Sequence, residues 1–135
     1  MEKQVAIGIC QMKQGYDFEK NLEKALGMID EAARSGAEIS ILPEMFITPY
    51  EPSSIRKAVS FTEIAIEKLK EKAATHNIYI VGGSLPYKEQ DEKPFNRALV
   101  FDPKGDVIFT HDKIHLFDCT PPGGPSVKES ETITP

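Results

Sequence analysis

One stretch of the chain concentrates reactive side chains. FTHDKIHLFDC, residues 109–119, carries one lysine, two histidines, two aspartates and a cysteine in eleven positions. That set can serve a metal ion, a Cys–His nucleophile, or the lysine corner of a catalytic group whose other members lie elsewhere. The metal reading fares poorly. On a strand running through residue 115, His111 and His115 share a face, but their side chains lie well apart along it. No further Cys or His completes a compact ligand set. His76, the remaining histidine, falls at the end of a helical pattern, where it is expected to cap carbonyls. Neither a metal nor a cofactor is expected.

Cys119 as a nucleophile needs an activating base and a cradle of donors. It precedes Thr-Pro-Pro-Gly-Gly, a flexible-looking loop, so an ordinary loop thiol ranks above a Cys119–His115 pair. Cys10, inside the first apolar run, reads as a small core hydrophobe. Lys113 ends the run DVIFTHDK beside an apolar IHLF segment. Its ammonium can hold negative charge developing on a substrate oxygen, or it can be an exposed lysine paired with Asp112. Glu44 lies in ILPEMF, where Pro43 stops strand pairing and the carboxylate emerges at a strand end. Open α/β sheets place ligands at such ends, and partial burial beside Met45 and Phe46 would raise the carboxyl toward the range of a general base. A solvated turn glutamate is the plain alternative. Taken singly, neither residue decides.

The elements that must position these groups are legible from periodicity. VAIGICQM (5–12), EISILPEMF (38–46) and IYIVGGSLP (78–86) are short apolar runs and read as buried strands. Between the first two, Phe18, Leu22, Ala25, Leu26, Ile29, Ala32 and Ala33 recur at helical spacing, with Asp17 as N-cap and Ser35-Gly36 as the stop. TEIAIEKLKEKAATHN, from Thr62, is a second amphipathic helix, and Pro49 and Pro52 mark a loop before it. FNRALVFD and DVIFTHDK flank Pro103-Lys104-Gly105 and form the clearest hairpin signal. Five strands and two helices imply an α/β layer. After Leu116 the Pro-, Gly- and Ser/Thr-rich CTPPGGPSVKESETITP has no hydrophobic period. It reads as a long loop leading toward an absent element.

Composition narrows the function classes. Hydrophobic residues are 40% and charged residues 27%, as in an ordinary globular domain, and 135 residues fit one domain. A formal net charge of −5 with dispersed Lys and Arg leaves no footprint for nucleic acid or for a membrane surface. No apolar run reaches the roughly 18–20 residues of a transmembrane span. The start MEKQVAIGIC lacks the features of a signal peptide, so a cytoplasmic location is expected. Two cysteines make no disulfide framework.

ILPEMF and HDKIHLFD, joined by IYIVGGSLP and FNRALVFDPKGDVI, resemble the nitrilase superfamily of carbon–nitrogen hydrolases. The closing PGGPSVKESETITP is similar to the loop that follows the lysine motif in ω-amidase-like members. The resemblance implies an α/β fold, the N-terminal half of an α-β-β-α four-layer sandwich, with residues 1–135 as the N-terminal portion of a hydrolase domain. It further implies a Glu-Lys-Cys mechanism. The family's LPE glutamate matches Glu44, its K-x-H-L-F lysine matches Lys113, and the supporting glutamate of its E-S-E-T loop matches Glu129. The family's cysteine falls on a later strand beyond Pro135, and neither Cys10 nor Cys119 matches it. His115 and Asp118 then become supporting structure. Family members often carry an aromatic and a basic residue before the lysine; His111-Asp112 stands there, an acid expected to favour the charged lysine.

The implied activity is hydrolysis of small carboxylic amides, among them dicarboxylate monoamides, by a chain that is inactive alone. The expected partners are a small-molecule amide substrate and either further copies of the chain or a complementing C-terminal half. The alternative is a truncated relative acting as an interaction or dimerisation module, or a non-functional remnant. A half-fold of this kind bares an apolar sheet face and open strand edges, so self-association is expected.

Overall fold

The computed structural model describes residues 3–90 and 93–135. The order is β1 (Ile7–Ile9), α1 (Phe18–Arg34), β2 (Ile39–Ile41), α2 (Pro52–Ala58), a 3-10 turn (Val59–Phe61) and α3 (Thr62–His76). There follow β3 (Tyr79–Tyr87), β4 (Phe95–Phe101), β5 (Val107–Asp112), β6 (Asp118–Cys119), β7 (Val127–Lys128) and a 3-10 turn at Glu129–Glu131. The first five strands form one sheet in sequence order. β1–β2 and β2–β3 pair in parallel, whereas β3–β4 and β4–β5 pair antiparallel.

This order accounts for the layers. Crossovers between parallel strands are right-handed. Two of them stepping in the same direction across the sheet place both helices on one face. Their apolar stripes meet there: Leu22, Ala25 and Ile29 of α1 join Ala65, Ile66, Leu69 and Ala73 of α3 over Ile80, Leu99 and Phe101. Gly8 lies under α1, where an added Cβ would stand 2.5 Å from the Ala32 Cβ. The opposite face is bare. Ile9, Ile41, Val81, Val100 and Phe109 are successive cross-strand partners and form one apolar row through all five strands. Ile9 in this row is 77% exposed and Phe109 57%.

The helix caps behave as the sequence predicts. Asp17 accepts the Lys20 N–H at 3.1 Å, and α1 ends at Ser35 with Gly36 at φ 91°. Other expectations need correction. The strands expected over 5–12 and 38–46 shrink to three residues each. Pro43 has no N–H to donate, and the chain turns over residues 44–47. The loop expected from Pro49 and Pro52 up to Thr62 gives way at Pro52 to α2, because proline at a helix's first turn removes only a donor that would be unpaired anyway.

Nor is the segment after Leu116 a loose connection. β6 and β7 pair antiparallel, Ile133 is fully buried, and Thr134 N–H donates to the Pro94 carbonyl at 2.9 Å. Side-chain anchors hold it, and these leave no periodic signature. β5 ends at Asp112, so His111 and His115 do not share a strand face.

His76 caps no carbonyl through its ring. Its Nε2 lies 2.6 Å from Asp30 Oδ1, and Lys72 Nζ lies 2.7 Å from both Asp30 oxygens. This clasp joins α1 to α3. Burial alone would raise the Asp30 carboxyl, but the hydrogen bonds from Lys72 and His76 outweigh it and hold the group below its ordinary value. Stabilisation from a depressed carboxyl is present above the unfolded value, about 3.9, and is lost as pH falls through the folded value. Asp30→Asn is therefore expected to cost about 1 kcal/mol in urea unfolding at pH 7. The gap to the wild type should close at pH values below the folded value.

Candidate active site

Three of the sequence-nominated residues meet at one end of the sheet. Lys113, one residue past β5, places Nζ 3.2 Å from Glu44 Oε1 and 3.2 Å from Glu129 Oε2. The lysine, 69 residues from one glutamate and 16 from the other, bridges the two. Glu44, Lys113, Asn96, Gly83, Ser84, Ala98 and His111 line a cavity of about 240 Å³ that opens on the uncovered side. Ala98 and His111 are cross-strand partners, so the cavity continues the bare face.

The backbone that carries Glu44 is fixed. Gln14 Nε2 donates to the Glu44 and Met45 carbonyls, each at 3.4 Å, and Asn21 Nδ2 donates to the Ile47 carbonyl at 2.8 Å. Ser84 Oγ accepts the Met45 N–H at 3.0 Å. Met45, Phe46, Ile47 and Thr48 are all fully buried. Met45 sits at φ 49°, a left-handed conformation costing roughly 1–2 kcal/mol for a residue with a Cβ. Packing over-determines it. Gly83, also left-handed at φ 56° and within the irregularity of β3 between Val81 and Ser84, passes so close that an added Cβ would lie 1.9 Å from the Pro43 oxygen. The Glu44 side chain is 52% exposed, more open than the partial burial expected from its sequence neighbours.

Glu129 is the opposite case. Its side chain is 2% exposed, and its carboxylate accepts the Phe117 N–H at 2.5 Å and the Tyr50 hydroxyl, besides facing Lys113. Burial pushes this carboxyl up; the Phe117 N–H, Tyr50 and Lys113 together hold it below its ordinary value. Burial and the Glu129 contact raise the Tyr50 phenol, which stays protonated and donates. For Lys113, burial disfavours charge, but the two carboxylates prevail and the ammonium is held above its ordinary value. Asp112 does not supply that charge, contrary to expectation: both its oxygens are taken by Arg97 at 2.8 and 2.9 Å. Arg97 in turn stacks 4.0 Å over the Tyr87 ring.

Asn96 and Tyr50 were not legible as site residues. Asn96 Nδ2 donates to Glu44 Oε1 at 2.6 Å and lies 3.3 Å from the Tyr50 hydroxyl. The available signal was a neutral polar residue near the start of a strand whose other residues, Arg97 apart, are apolar. Among the remaining nominees, Asp118 accepts the Ser130 N–H at 3.0 Å and its hydroxyl at 2.6 Å, bracing the turn that carries Glu129. Cys119 is exposed on β6 and Cys10 is buried; neither lines the cavity. Burial, reinforced by Glu31, pushes the Cys10 thiol up, away from reactivity. Among the described residues no group of three His, Cys, Asp or Glu side chains is arranged to hold a metal ion, and no helix is long and apolar enough to cross a membrane.

The carbon-nitrogen hydrolase family matches residues 6–135. Nitrilase homolog 2 of Dictyostelium discoideum is 41% identical over 137 residues, covering 99% of this chain and 42% of its own length. The mouse omega-amidase NIT2 is 40% identical over 130 residues, covering 96% and 47% respectively. Among solved structures, the C. elegans NitFhit protein superposes with a TM-score of 0.84 at 32% identity, over 97% of this chain and 34% of that one. An amidase from Nesterenkonia sp. gives 0.79 at 26% identity, over 97% and 48%. The chain thus spans less than half the length of these relatives, and its architecture is half of a nitrilase-type fold.

Because Glu129 alone ties Phe117, Tyr50 and Lys113 together, Glu129→Ala is expected to destabilise the protein by about 3 kcal/mol, leaving the lysine without its buried partner. The amide of Phe117, which loses its acceptor, should exchange with solvent much faster than in the wild type. This stabilisation is present above the ordinary glutamate value, about 4.3, and is lost as pH falls through the lower folded value.

Proposed function

From the premise that the chain belongs to the carbon–nitrogen hydrolase family, we propose that it provides the base and the oxyanion lysine of an amidase acting on small carboxylic amides, dicarboxylate monoamides among them. The observation carrying this reading is the Lys113 ammonium bridging Glu44 and Glu129 at the cavity wall. An ammonium has three donor hydrogens. Two face carboxylates and the third is available to a substrate oxygen.

In this mechanism Glu44 takes the proton of a cysteine thiol, and the thiolate attacks the amide carbon. Lys113 stabilises the tetrahedral oxyanion. The C–N bond breaks, Glu44 returns the proton to the departing ammonia or amine, and a thioester remains. Water, deprotonated by Glu44, then releases the carboxylic acid and the thiol. Glu129 keeps Lys113 charged and aimed. The cysteine comes from the remainder of the hydrolase domain, joined to this chain or supplied by another.

The bare face supports that arrangement. The protein exposes 8171 Å², whereas a compact monomer of 15.0 kDa exposes about 7,000 Å². The excess, roughly 1,100 Å², is of the order one partner buries in a stable interface. A second sheet laid on the Ile9–Phe109 row would remove it and close the cavity. The same face also favours a second reading, in which the chain is an interaction or dimerisation module without hydrolysis.

Ammonia release from small amides by the completed protein separates the two. Glu44→Gln and Lys113→Ala are each expected to lower the rate at least 100-fold; full activity in both would refute the catalytic assignment. The chain alone should sediment as self-associated species, and a monodisperse monomer would overturn the role given to its bare face.

A further inference from the structure

We propose that Asn96 is a positioning residue for Glu44, and that through Tyr50 it ties the Glu44 carboxylate to the buried Glu129. The proposal deepens the hydrolase reading and rests on it only for its catalytic consequence. Asn96 lies on β4 and is 3% exposed. Its two functional halves serve different partners. The backbone carbonyl accepts the Lys113 N–H at 3.0 Å, which sets where the lysine leaves the sheet. The side-chain nitrogen donates to Glu44 Oε1 at 2.6 Å and reaches the Tyr50 hydroxyl at 3.3 Å.

The orientation of this amide is dictated by charge. Asn96 Oδ1 is buried and has no partner among the described residues, a cost of roughly 1–3 kcal/mol. The reversed orientation would set that oxygen against a carboxylate oxygen. Both N–H groups are instead committed, one to each arm of the site.

Glu44 has little else to hold it. Its side chain is 52% exposed, and Lys113, the charged group facing it from just past β5, is shared with Glu129. His111 lines the same cavity, and Gln14 touches the Glu44 carbonyl, not the carboxylate. Asn96 is therefore the neutral donor that restricts the rotation of the base.

The test uses two variants, Asn96→Leu and the isosteric Asn96→Asp, so that one misfolded variant does not decide it. In the 135-residue chain labelled with 13C-glutamate, the Glu44 carboxyl signal is identified by its loss in Glu44→Gln. The three-bond couplings of the Glu44 side chain, those of one rotamer in the wild type, should average toward several rotamers in Asn96→Leu and in Asn96→Asp, each of which removes the donor to Oε1. In the completed protein, kcat for amide hydrolysis should fall about 10-fold or more with KM little changed, as for the loss of one hydrogen bond to a charged group. Unchanged Glu44 couplings in both folded variants overturn the proposal, as does a kcat equal to that of the wild type. Averaged couplings beside a completed protein that hydrolyses no amide leave the positioning role standing and remove the hydrolase reading.

Discussion

Two right-handed crossovers that step the same way govern everything else in this molecule. Had the strand order reversed after β2, the second crossover would have put α3 on the other face and the sheet would have been covered on both sides. Instead α1 and α3 pack side by side on one face, clasped by Asp30, Lys72 and His76. The apolar row from Ile9 to Phe109 stays open to solvent. A parallel sheet is ordinarily buried on both faces. The family fold supplies a second sheet at that position, and the residues of this chain already have the composition such a contact needs.

The same one-sidedness locates the candidate site. A cavity at the end of the open face can be walled by whatever lies across it, so the chain need contribute only the groups that stay fixed. It contributes two carboxylates in contrasting settings. Glu44 is accessible and its backbone is immobile; Glu129 is buried and its carboxylate is fully engaged. Lys113 stands between them. Both acids keep the lysine charged, the buried one with no solvent to share its carboxylate. Interchanging the two environments would bury Glu44 and leave the lysine loosely held.

Much of the fold was legible in the sequence where a periodic pattern and a stop signal coincide. Asp17 and Ser35-Gly36 bound α1 as read, and Pro103-Lys104-Gly105 turns between β4 and β5. The pattern failed where long-range side-chain contacts decide. Residues 117–135 look featureless because their order comes from Glu129, Asp118 and Ser130 reaching across the chain. Pro43 was correctly read as ending a strand, but the buried turn after it follows from Ser84 and Gln14, far away in sequence. Glu44, Lys113 and Glu129 were found through motif resemblance; composition and spacing had left the first two undecided. Asn96 and Tyr50 escaped because their role exists only once the strands are assembled.

The turn after Pro43 bears on how such a protein can change over time. Its left-handed Met45, its buried run to Thr48 and the Gly83 backbone pressed against Pro43 leave no slack in chain length. An inserted or deleted residue there would displace Glu44 and break the core together. Variation around this turn is thus confined to side-chain exchange at fixed positions, whereas in the exposed stretch from Thr120 to Ser126 length can drift without cost to the interior. The segment bearing Glu44 is inherited whole or lost.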